Sequence, residues 1–405
     1  MKIIPRPFYI NKIEKYFGLD TIIILTGQRR VGKSYLLRSI KDKLSPLDEN
    51  NIIFIDKEKK DFDGIKDYGA LNDYIDSRLD STKRNFILID EIQDIKDFEK
   101  SLRSFYEEEN IEIIVTGSNS KMLSSELSSL IGGRYKEIYV QSLDYGEFLE
   151  FHNLEDTDSS LNKFIHYGGL PGLKKIGLND NDVIEYQNDV VNTVLMKDVV
   201  LRHEIRNVVF LQNLMEFLAD NTGKLISATN IARYMKSNAN PVSVGVVLNY
   251  IGYLCESYIL RKTLRYDIHG KRIFENNEKY YFQDVGIRNA LLRSHRVFDI
   301  EKVIENLVYN RLVKDGYEVT VGQLRDKEID FVAQKPSETP NYIQVAYLIT
   351  SQETVDREFG NLKEIRNNYP KYVISMTPFI ERSDDEGIQH LSLRNFLLNG
   401  LTHHP

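Results

Sequence analysis

A short glycine-rich segment near the amino terminus has the residue types and spacing of a phosphate-binding loop. Gly27 and Gly32 are followed by Lys33 and Ser34, which completes the pattern G-x4-G-K-[ST]. Such glycines let the backbone curl around an anion, and a helix that starts here adds the partial positive charge of its amino end. We expect Lys33 to contact the terminal phosphates of a nucleotide and the Ser34 hydroxyl to bind Mg²⁺. The predicted cofactor-binding residues of this loop are Gly27, Gln28, Arg29, Arg30, Val31, Gly32, Lys33, Ser34 and Tyr35.

Two adjacent carboxylates follow an apolar, strand-like run and can complete the chemistry. Phe86–Ile89 is apolar throughout, and Asp90 and Glu91 come directly after it. Alone, such a pair is most often a solvated strand end or a helix cap. After a phosphate-binding loop, Asp90 is expected to hold Mg²⁺ through water, and Glu91 is expected to polarise the attacking water. The sequence therefore predicts Mg²⁺-dependent hydrolysis of ATP.

Two further segments offer polar side chains to the same site. Ile111–Val115 is followed by Ser118 and Asn119, which are placed to hold the γ-phosphate or the attacking water. A hydrogen-bonded turn is the alternative for this pair. Arg134 precedes the strand-like run Glu137–Val140. It is predicted to act as an arginine finger on its own nucleotide or on that of a neighbouring chain, and an ordinary surface arginine is the alternative.

The elements that must position these residues follow from the alternation of apolar runs. In the first third of the chain, short β-branched runs alternate with helical periodicity, which indicates a parallel α/β sheet. Near-continuous apolar strands indicate burial on both faces, as in a doubly wound sheet. The predicted strands are Thr21–Leu25, Asn51–Ile55, Phe86–Ile89, Ile111–Val115 and Glu137–Val140, and the predicted helices include Lys33–Lys43 and Asp97–Glu107.

The rest of the chain predicts helices, then a winged helix, then a small α/β part. Asp182–Val200 and Val208–Asp220 have the pattern of amphipathic helices. The winged helix consists of helices at Ser227–Lys236 and Val242–Glu256, a turn at Ser237–Pro241, and strands at Tyr258–Tyr266 and Tyr280–Phe282. The last part consists of a helix at Glu301–Lys314 and strands at Tyr317–Val321, Glu328–Ala333 and Tyr342–Ala346.

Composition excludes several other classes of protein. At about 150 residues per domain, a chain of 405 residues predicts two or three domains. The single cysteine, Cys255, rules out a disulfide framework and cysteine-based metal sites within one chain. The apolar runs are too short to cross a bilayer and the amino terminus lacks a signal peptide, so we expect a cytoplasmic protein with no membrane partner. A net charge of −7 argues against non-specific coating of nucleic acid.

The predicted winged helix leaves its ligand open. Its hairpin carries cations that suit phosphate contacts, whereas its second helix offers almost no side chain that reads base edges. We expect weak DNA binding at most, and a protein-binding or architectural role is the alternative. The hairpin cations are Arg261, Lys262, Arg265, Lys271 and Arg272.

Together these motifs resemble those of AAA+/STAND-like P-loop ATPases that carry a C-terminal domain of unknown function of the DUF4143 type. The matching strings are GQRRVGKS, FILIDEIQ, IVTGSNS, GGRY, SLDYGEFL, YGGLPG and VLMKDVVLR. The resemblance implies a nucleotide-driven switch. It also implies that Gly169, Leu170 and Pro171 lie against the adenine or sense the nucleotide state, and a simple loop turn is the alternative.

The last part of the chain resembles the core of restriction endonucleases. Glu305, Asp330 and Gln344 match the metal-binding positions of that core, but Ala346 stands where a lysine is expected. In such sites the carboxylates hold Mg²⁺ and the lysine stabilises or activates the water. The resemblance therefore implies a degenerate pocket that binds a divalent cation weakly and does not cut DNA, unless Lys335 or another base replaces the lysine.

We therefore predict an α/β protein with a P-loop NTPase parallel sheet, a helical lid, a winged helix and a C-terminal restriction-endonuclease-like α/β domain. The predicted domains are residues 1–143, 144–222, 223–295 and 296–405 in that order. The predicted function is an ATP-hydrolysing switch that uses Mg²⁺ and recognises DNA or a protein partner, with a homo-oligomer as a further expectation. Two alternatives remain: an ATP-regulated DNA nuclease of a defence or mobile-element system, and a nucleotide-binding scaffold with little turnover.

Overall fold

The computed structural model describes residues 4–119, 132–237, 241–292, 299–378, 382–383 and 387–401. The chain divides into two units, each with its own sheet. The first unit consists of Met1–Ser142 with Glu256–Tyr258, and the second unit consists of Leu143–Cys255 with Ile259–Pro405. Within the described residues, no helix is both long enough and apolar enough to span a bilayer.

The first unit is built on a five-stranded sheet in which all neighbouring strands are parallel. Across the sheet the strands follow the order β2-β3-β4-β1-β5. The predicted α/β fold class with a P-loop NTPase sheet is therefore confirmed. The strands are Ile22–Thr26 (β1), Asn50–Asp56 (β2), Arg84–Asp90 (β3), Ile111–Thr116 (β4) and Tyr135–Tyr139 (β5).

Successive side chains of each strand leave opposite faces of this sheet, and both faces pack against helices. Ile22 and Ile24 belong to one apolar cluster, whereas Ile23 and Leu25 belong to another. The strands are near-continuous apolar runs because both faces exclude water. The helices are Pro7–Glu14 (α1), Lys33–Leu44 (α2), Tyr68–Asp76 (α3) and Phe98–Tyr106 (α4), with short 3-10 turns at Lys60–Phe62 and Ile92–Asp94.

The second unit begins with helices, and those from Leu173 to Glu256 share one apolar core. Asp144 caps the first of them in a capping box with Glu147, and the Lys314 ammonium contacts both carboxylates. The predicted helix Asp182–Val200 is regular only as far as Val194, because a π-helical turn follows. The helices are Tyr145–His152 (α5), Asp158–Tyr167 (α6), Leu173–Ile176 (α7), Asp180–Val194 (α8), the π-helical Leu195–Val200, Val208–Asp220 (α9), Ala228–Ser237 (α10) and Val244–Glu256 (α11).

The second unit also contains an eight-stranded mixed sheet with the order β12-β13-β11-β10-β9-β8-β6-β7. Its strands are Leu260–Asp267 (β6), Arg272–Phe282 (β7), Glu318–Leu324 (β8), Lys327–Gln334 (β9), Asn341–Ala346 (β10), Lys371–Ser375 (β11), Arg382–Ser383 (β12) and Gln389–Ser392 (β13). The remaining helices are Val285–Leu291 (α12), Ile300–Lys314 (α13), Gln352–Lys363 (α14) and Leu393–Asn399 (α15).

The hairpin predicted as the wing of a winged helix is continuous with this larger sheet. β6 pairs with β7 on one side and, in parallel, with β8 on the other. The two preceding helices, α10 and α11, are present, while residues 238–240 of the predicted turn lie outside the described residues. The division into four domains, including a separate winged helix, stays a proposal.

Candidate functional site

The phosphate-binding loop connects the carboxyl end of β1 to the amino end of α2. Gly27 has a φ of +138°, and a side chain there would meet the carbonyl oxygen of Val140 at 2.1 Å. Gly32 has a φ of +98° and directly precedes α2. Both positions favour glycine, because other residues are strained in this region of φ. Since Gly32 has no side chain to cap α2, the first amide groups of the helix are left for an anion.

Lys33 is buried at the first position of α2. Its Nζ donates hydrogen bonds to the carbonyl oxygens of Gly27, at 2.8 Å, and Gln28, at 3.0 Å. Backbone carbonyls of the loop therefore hold the Lys33 ammonium where the motif predicts that it contacts the terminal phosphates of a nucleotide. Tyr35 is exposed, and its ring lies 5.4 Å from the Arg38 guanidinium, so its predicted role at the nucleotide stays a prediction.

Asp90 is the last residue of β3 and is fully buried. Burial raises its pKa to about 6, although the hydroxyls of Thr116 and Ser34 act in the opposite direction. Thr116 Oγ1 donates to Asp90 Oδ1 at 2.5 Å. Among the described residues, no side chain or backbone group forms a hydrogen bond with Asp90 Oδ2. A buried carboxylate oxygen without a partner, beside the hydroxyl of Ser34, fits the hydrated Mg²⁺ that the sequence predicts here.

Glu91 follows Asp90 in a left-handed conformation, with a φ of +54°. Its backbone N–H donates to Thr116 Oγ1 at 2.9 Å, so one threonine orients both acidic residues. Burial acts to raise the pKa of the Glu91 carboxyl, but the charges of Lys33 and Arg29 outweigh this and lower it. The ionised form is therefore favoured, as a residue that polarises water requires.

The segment after β4 reaches the same carboxylate. Ser118 is buried, and its hydroxyl donates to Glu91 Oε2 at 3.3 Å. Asn119, the next residue, is also buried. Ser120 lies outside the described residues. The structure therefore brings Ser118 to the predicted hydrolytic site through Glu91, and contact of Ser118 or Asn119 with the γ-phosphate stays a prediction.

Arg134 lies at the amino end of the strands, whereas the phosphate-binding loop lies at their carboxyl end. It precedes β5, where its carbonyl accepts a hydrogen bond from the N–H of Ile22, the first residue of β1. The loop follows the far end of β1, and five strand residues separate the two ends by about 16 Å. The Arg134 guanidinium instead lies 5.5 Å from the Tyr106 ring. The geometry does not support a finger on the same chain's nucleotide, and a finger on a neighbouring chain stays a prediction.

The Gly-Leu-Pro element belongs to the second unit, where its glycine makes close backbone contacts. Gly169 accepts a hydrogen bond from the N–H of Leu143 at 2.7 Å and donates to Asp284 Oδ2 at 2.8 Å. A side chain on Gly169 would meet the Leu143 carbonyl oxygen at 2.1 Å. These close contacts explain why position 169 requires a glycine without a role at the nucleotide. The role of Pro171 at the nucleotide stays a prediction.

The carboxylates of the C-terminal part surround Lys279, a cation that was not predicted from the sequence to lie at this site. Lys279 of β7 is almost fully buried, and its Nζ lies 2.9 Å from Glu305 Oε1, 2.7 Å from Glu328 Oε1 and 3.9 Å from Asp330 Oδ1. The Tyr281 hydroxyl donates to Glu305 Oε1 at 2.6 Å. Burial, followed by the charge of Glu305, raises the pKa of Asp330, while Lys279 opposes the shift. We call Lys279, Glu305, Glu328 and Asp330 the ionic cluster.

Gln344 does not join the ionic cluster as a third metal ligand. Its Oε1 accepts from the Asp330 N–H at 3.0 Å, and its Nε2 donates to Glu358 Oε2 at 3.1 Å. Within the described part of the chain, no group of three or more His, Cys, Asp or Glu residues is arranged to hold a metal ion. Gln344 therefore bonds elsewhere, and Lys279 lies beside Glu305 and Asp330, where the sequence allowed another base to replace the missing lysine. Metal binding by Glu305, Asp330 and Gln344 stays a prediction.

The missed residues could not be identified from local patterns. Lys335, the replacement base considered from the sequence, lies 4.5 Å from the Tyr317 ring. Lys279 precedes the apolar run Tyr280–Phe282, and a lysine in a buried strand needs a charged partner. That pattern signals an ion pair but does not name the partners, which come from other elements.

Two family models match the chain. A model described as AAA domain matches residues 19–149. A model described as domain of unknown function, DUF8612, matches residues 158–296. The second match replaces the DUF4143 type expected from the sequence, whereas the expected AAA+ character of the first part is supported.

The comparison with curated proteins establishes the family. An uncharacterized protein from Haemophilus influenzae is 30% identical over 403 residues, which is 98% of this chain and 98% of that protein. The chain belongs to the family of this protein. An uncharacterized protein from Methanocaldococcus jannaschii is 27% identical over 361 residues, which is 85% of this chain and 78% of that protein.

Similarity to solved structures is more distant. The Thermotoga maritima RuvB Holliday junction branch migration motor is 17% identical, with 62% of this chain and 89% of that chain covered and a TM-score of 0.34. A likeness at this level carries no argument about how this chain folds or acts.

Proposed function

We propose that the first unit binds and hydrolyses ATP with Mg²⁺ and that the chain is a nucleotide-driven switch. The observation that carries the proposal is the placement of Lys33, Asp90 and Glu91 at the carboxyl ends of β1 and β3, two parallel strands of one sheet, beside a loop that contains two glycines with positive φ. The match of residues 19–149 to the AAA domain model supports the same conclusion.

The residues of the chain divide the chemistry between them. The amides of the phosphate-binding loop and the Lys33 ammonium would hold the phosphates, while Ser34 and Asp90 would hold Mg²⁺. When bound, the metal ion neutralises charge on the phosphates. Glu91, ionised and held by Thr116 and Ser118, accepts a hydrogen bond from the attacking water.

Hydrolysis by the purified protein tests this proposal. We expect ATP turnover that requires Mg²⁺ and is abolished by EDTA. Asp90→Asn should weaken Mg²⁺-dependent ATP binding, because the amide keeps the size of the side chain but lacks its charge. Asp61→Asn, on an exposed turn, is the matched control. Failure of the wild-type protein to bind ATP would overturn the proposal, and binding without turnover would favour the scaffold.

We further propose that the second unit recognises a protein partner rather than DNA. Two of the hairpin cations already face carboxylates, since Lys262 lies 3.6 Å from Glu278 and Arg272 lies 3.6 Å from Asp267. The exposed side of α11 carries apolar residues, among them Leu248. Side chains of this kind do not read base edges. Fluorescence anisotropy with duplex DNA checks this: tight binding at physiological salt would contradict it.

We also propose that the C-terminal sheet does not cut DNA. Two observations support this: Gln344 bonds to the Asp330 N–H and to Glu358, and no group of three or more His, Cys, Asp or Glu residues in the described part of the chain is arranged to hold a metal ion. Lys279 lies beside Glu305 and Asp330, so it is the base that the nuclease alternative would require. Incubation of supercoiled plasmid with Mg²⁺ or Mn²⁺ should leave the plasmid intact. Cleavage that Asp330→Ala abolishes would contradict the proposal and favour the nuclease alternative.

A further inference from the structure

The turn after Glu91 brings a second polar side chain back onto the Glu91 carboxylate. The left-handed backbone of Glu91 is followed by the 3-10 turn Ile92–Asp94. As a result, Gln93 Nε2 donates to Glu91 Oε2, the same oxygen that accepts from the Ser118 hydroxyl. Left-handed backbone is uncommon outside glycine and costs free energy, and such strain is concentrated at functional sites. Here its effect is to place Gln93 beside the carboxylate.

The other end of the Gln93 amide is buried and unused. No described residue donates a hydrogen bond to Gln93 Oε1, although this oxygen is shielded from solvent. Buried acceptors are nearly always paired, so an unpaired one requires an explanation. This acceptor belongs to the amide that holds Glu91, the residue that polarises the attacking water in the proposed reaction.

We infer that Gln93 is a catalytic residue for hydrolysis: its N–H fixes the Glu91 carboxylate and its carbonyl accepts a hydrogen bond from the attacking water. The inference rests on the proposed ATPase function. An amide suits the task because it donates at one end and accepts at the other. A water that donates one hydrogen to Glu91 and the other to Gln93 has its lone pairs oriented by two acceptors rather than one.

Gln93→Met is the primary variant, because methionine has a similar length and volume but has neither the N–H donor nor the carbonyl. We expect kcat for ATP to fall by about ten- to a hundredfold, while KM and the affinity for a non-hydrolysable ATP analogue stay within about twofold. Asp94→Asn changes the next, exposed residue of the same turn and is the matched control. A role confined to folding would instead shift melting temperature, KM and kcat together, and that result would overturn the inference.

Trapping of ADP with aluminium fluoride and Mg²⁺ gives a readout that does not depend on turnover. The planar fluoride mimics the transferred phosphoryl group only with the attacking water in place, so its capture reports on that water. We expect Gln93→Met to trap ADP at least tenfold more weakly than the wild-type protein with this fluoride, while analogue binding is unchanged. Equal trapping by the two proteins would overturn the inference.

A double variant separates this inference from the proposed function. If Gln93 acts through Glu91 and its water, adding Gln93→Met to Glu91→Gln should slow turnover little further; multiplicative losses would contradict this. Gln93→Glu, which keeps an acceptor and loses the donor, serves if the methionine variant does not fold, with the same loss expected. A wild-type protein that neither hydrolyses ATP nor traps ADP refutes the proposed function, whereas normal turnover of the Gln93 variants beside a slow Glu91→Gln refutes only the inference.

Discussion

At the scale of single residues, nucleotide affinity depends on Lys33. Its ammonium is buried and already held over the loop by the carbonyls of Gly27 and Gln28. We expect Lys33→Ala to reduce ATP affinity at least tenfold in calorimetry, because no other cation occupies the first position of α2. Arg30→Ala, in the exposed and variable part of the loop, should change affinity much less. If Lys33→Ala bound ATP with wild-type affinity, the assignment of this segment as the phosphate-binding loop would be ruled out.

The residues that were predictable from sequence are those whose roles depend on near neighbours in the chain. Lys33 and Ser34 follow their glycines directly, and Asp90 and Glu91 end a single apolar strand. Gln93 is also close in sequence, but its contact with Glu91 depends on the left-handed backbone of Glu91, which cannot be predicted from the residue type. Local spacing therefore predicts the phosphate-binding loop and the pair Asp90 and Glu91, but not the side chains that orient them.

At the scale of elements, the loop between β1 and α2 is fixed by its approach to the end of β5. Gly27→Ala would place a carbon 2.1 Å from the Val140 carbonyl oxygen, so the loop must shift. We expect this variant to lose ATP binding while the sheet stays folded, as calorimetry and circular dichroism would show. Gly64→Ala is the matched control, because nothing lies within 4 Å of its added carbon. Normal ATP binding by Gly27→Ala would contradict the loop geometry.

The ionic cluster links the hairpin strand β7 to β9 and α13. Lys279→Met would leave Glu305, Glu328 and Asp330 without their shared cation. Removing one partner of a buried ion pair typically costs about 3–5 kcal/mol, so we expect the melting temperature of the second unit to fall by roughly 10 °C. Lys327→Met, which breaks an exposed pair with Glu364, should cost less than about 1 kcal/mol. Equal melting temperatures for the two variants would show that the cluster adds little stability.

Strand positions were predictable because burial on both faces produces apolar runs, as in β4, where Ile111–Val115 was expected and Ile111–Thr116 is found. The pairing of β6 with β8 was not predictable in this way. It joins segments about fifty residues apart in the chain, and hydrophobic periodicity carries no information on which strands become neighbours. For the same reason, the partners of Lys279 could not be predicted from the sequence.

At the scale of the whole molecule, the chain belongs to the family of the Haemophilus influenzae protein, and its residues 19–149 match the AAA domain model. The position of Arg134 at the amino end of the strands matters at this scale, because any action on a nucleotide would require a second copy of the chain. In the homo-oligomer expected from the sequence, Arg134 of one chain is predicted to act on the nucleotide of a neighbouring chain.

In the proposed reaction, Glu91 polarises water for ATP hydrolysis in a site that binds nucleotide independently of this carboxylate. The measurement is ATP binding and single-turnover hydrolysis by Glu91→Gln beside the wild-type protein. We predict that Glu91→Gln binds ATP with Mg²⁺ at wild-type affinity and hydrolyses it about 10²- to 10⁴-fold more slowly, because the amide keeps the shape of the side chain but does not attract the proton of water. Hydrolysis by Glu91→Gln at the wild-type rate would contradict this role and show that Glu91 only caps the end of β3.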